Sequence, residues 1–154
     1  MMTLQVKQIH KRLTEDFIPH IDIRDVAKHK GRNLEQHKLT RALAAMCIAT
    51  YAHIPANEAA EYVTDGAGDD GIDAIAYSSI TKTAYIVQSK YKEQVPSPAE
   101  VEKFTRGIGH LLSDNYKFMN NKLKRRQEEI SENLSDSDHI VAVFCYLSPD
   151  SPSE

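Results

Sequence analysis

Apolar residues first recur at helical spacing. Leu4, Ile9, Leu13 and Phe17 form a loose stripe behind Thr3, a good capping residue, and Ile18-Pro19 ends it. The stretch "HIDIRDVAKHKGR" has no period and reads as irregular chain or a short strand closing at Gly31. Asn33 is the expected cap of a second helix. There Leu39, Leu43, Met46, Cys47 and Thr50 fall on one face at a spacing of about 3.6 residues, until Ile54-Pro55 breaks the pattern. "ANEAAEYV" predicts a short further helix ending before Asp65-Gly66.

The character of the chain then changes. "IDAIAYSS" and "TAYIVQSKY" are short runs rich in Ile, Val, Tyr and Ala around a polar connection, the pattern of an antiparallel hairpin. Ser97, Pro98 and Glu100 form a capping box at the start of a long helix through Val101, Phe104, Ile108, Leu111, Tyr116, Met119 and Leu123. Gly107 and Gly109 predict a kink in it, and Ser113 or Asp114 the cap of a second segment. "ENLSDSDH" reads as a polar loop, and "IVAVFCYL" as a strand buried on both faces. Residues 148–154 read as a disordered tail.

The order helix, helix, strand, strand, helix, strand predicts an α/β fold with a mixed central sheet flanked by helices. The last strand follows a helical crossover and should run parallel to its neighbour. A further strand is expected near Tyr62 to Thr64 or His20 to Arg24. One domain over residues 1–147 accommodates all of this, with 1–32 as a helical extension and 33–147 as the core.

Composition narrows the class without naming it. At 154 residues, 41% apolar and 27% charged, the chain can bury an ordinary core and is too apolar for a disordered segment. No apolar run reaches the roughly 18 residues of a membrane span, and "MMTLQVKQIHKRL" lacks the apolar centre of a signal peptide. Cys47 and Cys145 both sit in apolar surroundings. They read as buried free thiols, which suits a reducing cytoplasm. The net charge of −3 is that of no general polyanion binder. The charge is unevenly spread, however. Lys117, Lys122, Lys124, Arg125 and Arg126 form a basic run with no acid in it, read as a helix holding a nucleic-acid backbone.

The candidate chemistry lies in the hairpin. Alternation puts Gln88 and Lys90 on one face of the second strand, where its apolar residues end. Asp73 opens the first strand, and it and Gln88 lie almost symmetrically about the connection, so the three should meet at one edge of the sheet. Asp69 and Asp70, between Gly68 and Gly71, read as turn formers. A hard cation such as Mg²⁺ takes oxygen ligands. Asp73, the Gln88 amide oxygen and the Ser89 carbonyl can supply them, and the cation lowers the pKa of a bound water. Lys90 can orient that water or take its proton. Phosphodiester hydrolysis needs these parts.

"GDDGIDAIAY" followed by "YIVQSKYK" resembles the PD-(D/E)xK nuclease superfamily, in the variant with glutamine at the second acid that is found in Mrr-like restriction endonucleases. It is also similar to the N-terminal nuclease-like region of abortive-infection phage-resistance (AIPR) proteins. The specific motif covers residues 69–92, and the element order about 34–147. The resemblance implies a restriction-endonuclease-like αβββαβ core and an Mg²⁺-dependent DNA endonuclease, with Mn²⁺ able to substitute, in a cytoplasmic restriction or phage-defence setting. It makes Asp73 the metal-binding aspartate, Gln88 the replaced acid and Lys90 the catalytic lysine. It carries Glu35 over from its place in an early helix as a glutamate that reaches the metal through water. The proline that usually precedes the aspartate is Ile72 here. The resemblance also implies a homodimer and a further C-terminal recognition domain. The alternative is a nuclease-like fold that binds nucleic acid or protein without catalysis.

Overall fold

The computed structural model describes residues 2–149, so the expected tail lies outside the description from position 150 on. The fold is mixed α/β. A three-stranded sheet in the order β1 (Ala74–Ser78), β2 (Thr83–Tyr91), β3 (His139–Leu147) is flanked by helices α1 (Leu4–Arg12), α2 (Arg32–Ala52), α3 (Ala56–Ala60), α4 (Pro98–Leu112), α5 (Asn121–Lys124) and α6 (Gln127–Asp136). β1 and β2 form the expected antiparallel hairpin, in register from Ala74 opposite Val87 to Ser78 opposite Thr83. β3 joins β2 in parallel, from Thr83 beside His139 to Tyr91 beside Leu147. No helix among the described residues is long and apolar enough to cross a membrane.

β2 is the centre of the molecule, and its alternation sorts two cores. Tyr85, Val87 and Tyr91 pack with Leu39, Leu43 and Ile48 of α2 and with Leu13 and Phe17, while Ile86 packs with Ile75, Phe104 and Leu111 on the opposite face. The N-terminal segment is therefore part of the main core, because Leu13, Phe17 and Ile21 are buried in it. Thr3 caps α1 by accepting from the Val6 N–H at 3.3 Å, and Ser97 caps α4 by accepting from Glu100 N–H at 3.2 Å.

Several expectations are corrected. The cap of α2 is Gly31, at φ +58°, and not Asn33, which lies inside the helix. The fourth strand reduces to one antiparallel bridge, Val63 to Ala74, and residues 24–26 form a helical turn. "ENLSDSDH" is mostly helical, because α6 runs to Asp136. β3 is an edge strand, not one buried on both faces. Ile140 and Phe144 remain 42% and 41% exposed, although the Phe144 ring meets that of Phe104 edge-on at 5.0 Å. The long helix stops at Leu112, where Asp114 turns left-handed at φ +55°, and Asn120 caps α5 through the Leu123 N–H at 3.0 Å.

The two glycines of α4 differ in their surroundings. Gly109 meets nothing, whereas a Cβ on Gly107 would lie 2.1 Å from the backbone carbonyl oxygen of Asp70. A Cβ on Gly71, at φ +79°, would lie 3.0 Å from the Phe104 backbone. Two glycines thus let α4 pack directly on the backbone of the acidic loop. Gly107→Ala should lower stability by about 2–3 kcal/mol through overpacking, read as a shift in the urea midpoint. An unchanged midpoint would mean that the loop is not held by this contact.

Candidate functional site

The loop 64–73 is folded back on itself by its own backbone. The carbonyl of Asp73 accepts from Thr64 N–H at 2.8 Å and from Asp65 N–H at 3.2 Å, which sets Asp65 beside Asp73. Asp69 returns to the same point because its carboxylate accepts from Gly66 N–H at 3.3 Å and Gly71 N–H at 2.9 Å. The consequence is a triad. Asp65, Asp69 and Asp73 each present an oxygen, all within 4.8 Å of one another.

Each carboxylate is oriented from behind. Arg41 of α2, fully buried, donates from Nε to Asp65 at 2.8 Å and forks onto both oxygens of Asp25 at 2.7 and 2.8 Å. Burial works against its charge, but the Asp25 and Asp65 carboxylates outweigh it and raise its pKa further. Lys103 lies 3.7 Å from Asp69. Asp73, only 6% exposed, accepts from Ser89 N–H at 2.8 Å and has no cationic partner among the described residues. Burial pushes its pKa well above the usual carboxylate range, and the neighbouring Asp65 and Asp69 carboxylates add to the rise.

Asp73, Gln88, Ser89 and Lys90 line one cleft of about 260 Å³, together with Asp65, Asp69, Glu100 and Tyr146. The hairpin register that predicted their meeting holds, with Asp73 N–H donating to Val87 carbonyl at 2.8 Å. Gln88 is engaged on every side. Its Nε2 donates to the carbonyls of Gly71 and Glu100 at 3.3 and 3.2 Å, and its Oε1 lies 2.8 Å from the Tyr146 hydroxyl oxygen. It ties the acidic loop to α4 and β3. Ser89 donates its N–H toward Asp73, and its carbonyl shares that edge, since both groups of a strand residue point the same way. Lys90 has a 43% exposed side chain, 3.7 Å from Glu93.

Glu100 joins the site although its place in a capping box gives no hint of it. It comes from the first turn of α4, and its carboxylate accepts from both Ser97 and Tyr146 hydroxyls. Burial opposes its ionisation, but these bonds and the nearby Lys90 charge hold its pKa below the ordinary value.

The other candidates separate. Glu35 is exposed and outside the cleft, where Gln36, His37 and Thr40 represent α2 instead. Asp70 turns away to His110, at 2.5 Å. The basic run is divided between a turn, α5 and the residues after it. Lys122 donates to the Asp65 carbonyl at 2.7 Å and lies 3.4 Å from Asp25, and Arg126 donates to the Ile75 carbonyl at 2.9 Å and to Glu129 at 3.1 Å. Those two hold the fold together, while Lys117, Lys124 and Arg125 stay exposed. Asp65 and Asp69 do carry a signal in the sequence, a carboxylate every fourth residue through a glycine-rich turn ending at Asp73, and reading Asp69 as a turn former misses it. Comparison with protein-family models, curated proteins and solved structures gave no match, and the geometry of the site alone carries its interpretation.

Proposed function

We propose that this chain is a metal-dependent nuclease that hydrolyses DNA phosphodiesters, its three strands and the Val63–Ala74 bridge forming a reduced version of the αβββαβ restriction-endonuclease-like core, and that it is suited to restriction or phage defence. One observation carries the reading. Asp73 is a buried carboxylate beside two others with no cationic partner among the described residues, and a carboxylate so placed ionises readily only against a metal or another cation. A hard divalent ion, Mg²⁺ with Mn²⁺ as its substitute, fits the all-oxygen donor set of Asp65, Asp69 and Asp73, with the Ser89 carbonyl facing the same edge. When bound, such an ion supplies an acidified water and a counter-charge for phosphate.

The residues of the chain do the rest. Arg41 and the Gly66 and Gly71 amides fix the orientation of Asp65 and Asp69, as supporting contacts do for metal ligands. Ser89 N–H fixes Asp73. Lys90, half-exposed at the mouth of the cleft, neutralises charge on phosphate or holds the attacking water. Gln88 clamps the loop against α4. Glu35 is left without a task in this scheme.

The test is a supercoiled plasmid incubated with Mg²⁺ or Mn²⁺, beside chelator and a Lys90→Ala protein. Nicking or linearisation lost in both controls is the expected result. Cleavage that survives chelator would refute the metal centre, and no cleavage by folded wild-type protein would favour a binding module.

A further inference from the structure

The carboxylate cleft is the end of a longer groove. It shares His37 and Asp65 with a cleft of about 630 Å³, which shares Lys122 and Arg125 with a third of about 350 Å³. Residues 24–29 form one wall and α5 with Arg125 the other, tied across by Lys122 to Asp25. Most cations along it are engaged. Arg41 is held by Asp25 and Asp65, Arg24 by Asp22 at 2.8 Å, and Arg126 by Glu129. Lys28 and Arg125 are different. Both are exposed, both line the middle cleft, and neither has an acidic partner among the described residues. The same middle cleft is lined by Asp65 and by the half-buried rings of His29 and His37, 4.9 Å apart and tilted by 34°.

Two unpaired cations and an aromatic pair in a groove that ends at carboxylates match a strand with charged phosphates and flat bases. An acidic peptide would use the cations but leave the rings idle. A base inside a duplex cannot reach rings on a groove wall, whereas an unstacked one can. We propose that this groove carries a single strand of nucleic acid into the carboxylate cleft, with Lys28 and Arg125 on phosphates and the His29–His37 pair against a base. The direction of travel rests on the nuclease reading; the binding itself does not.

The test is anisotropy of a labelled mixed-sequence oligonucleotide, single-stranded and duplex, with the whole chain in chelator so that no cleavage intervenes. The single strand should bind more tightly than the duplex. Lys28→Ala with Arg125→Ala should weaken it at least tenfold. The same pair should reduce the slope of log affinity against log salt by about 1.4, because each phosphate that a cation neutralises on a single strand adds about 0.7 to it. His29→Ala should cost about tenfold with little change in slope. Lys7→Ala with Lys11→Ala, exposed on α1 and lining none of these clefts, should change neither. Equal binding by the Lys28/Arg125 variant, an equal loss in the α1 control, a preference for duplex, or no binding by wild type would each overturn the groove. Binding as expected with no cleavage in Mg²⁺ would remove the nuclease reading and leave the groove standing. Cleavage with unaltered binding by the groove variants would do the reverse.

Discussion

Asp73→Asn should abolish cleavage, by about a thousandfold or more, while leaving the protein at least as stable as before. The two effects have one cause. The carboxylate is buried, faces Asp65 and Asp69, and has only the Ser89 N–H to favour its charge. Asparagine keeps the shape, still accepts from Ser89 through its oxygen, and offers an N–H₂ to the remaining acids. Without an ion the substitution removes repulsion, so the thermal midpoint should hold or rise. With an ion required, it removes a ligand and the developing charge on phosphate loses its counterweight, a loss of at least the size seen when one preorganised electrostatic contact is deleted. Plasmid cleavage and a melting curve on the same preparation decide it. Full activity would remove Asp73 from the chemistry, and a marked drop in midpoint would make it a structural residue.

Arg41→Met is the variant expected to damage the fold most. The guanidinium is fully buried and satisfies Asp25, Asp65 and the Asp22 carbonyl, the last at 2.9 Å. Methionine fills much of its volume but leaves Asp65, with an 18% exposed side chain, unpaired beside two further carboxylates. Removing one partner of a buried ion pair costs about 3–5 kcal/mol. Asp25 can turn to water with its 38% exposed side chain, which puts the expected loss at about 3 kcal/mol, or roughly 6–12 °C in thermal midpoint for a chain of this size. Adding Asp65→Asn should restore more than half of it. A midpoint within about 2 °C of wild type would show that the network is not a unit.

Much of the fold is legible in the residues. The hairpin follows from two β-rich runs around a polar connection, and the parallel last strand from the helical crossover before it. Thr3 and Ser97 announce their helices. Errors arise where tertiary contact overrides local pattern. Gly107 reads in the sequence as a helix breaker, and the structure makes it a contact surface for the Asp70 carbonyl. The run from Lys117 to Arg126 looks like one cationic face, yet Lys122 and Arg126 point into carbonyls and acids that lie far away in sequence. "IVAVFCYL" has the composition of a central strand and occupies an edge of the described sheet, a place set by strand order and not by its own residues.

The site divides the same way. Asp73, Gln88 and Lys90 could be placed together because hairpin register is a matter of counting from the turn. Asp65, Asp69 and Glu100 could not. The first two depend on a loop folding onto the Asp73 carbonyl, and the third on α4 docking across Gly71 and Gly107. Charge along the sequence does not reveal which acids a loop will gather.

β3 reaches β2 only through the whole crossover of α4, α5 and α6, so its registration closes a long loop and carries most of the topological delay in folding. The hairpin and α2 can assemble from closer contacts. A chain caught between those events has Asp65 and Asp73 in place, while Gln88 lacks the Tyr146 hydroxyl and one edge of β2 lies open. Until β3 docks, that open edge of β2 is a template for pairing with another chain, and the cleft lacks its Tyr146 wall.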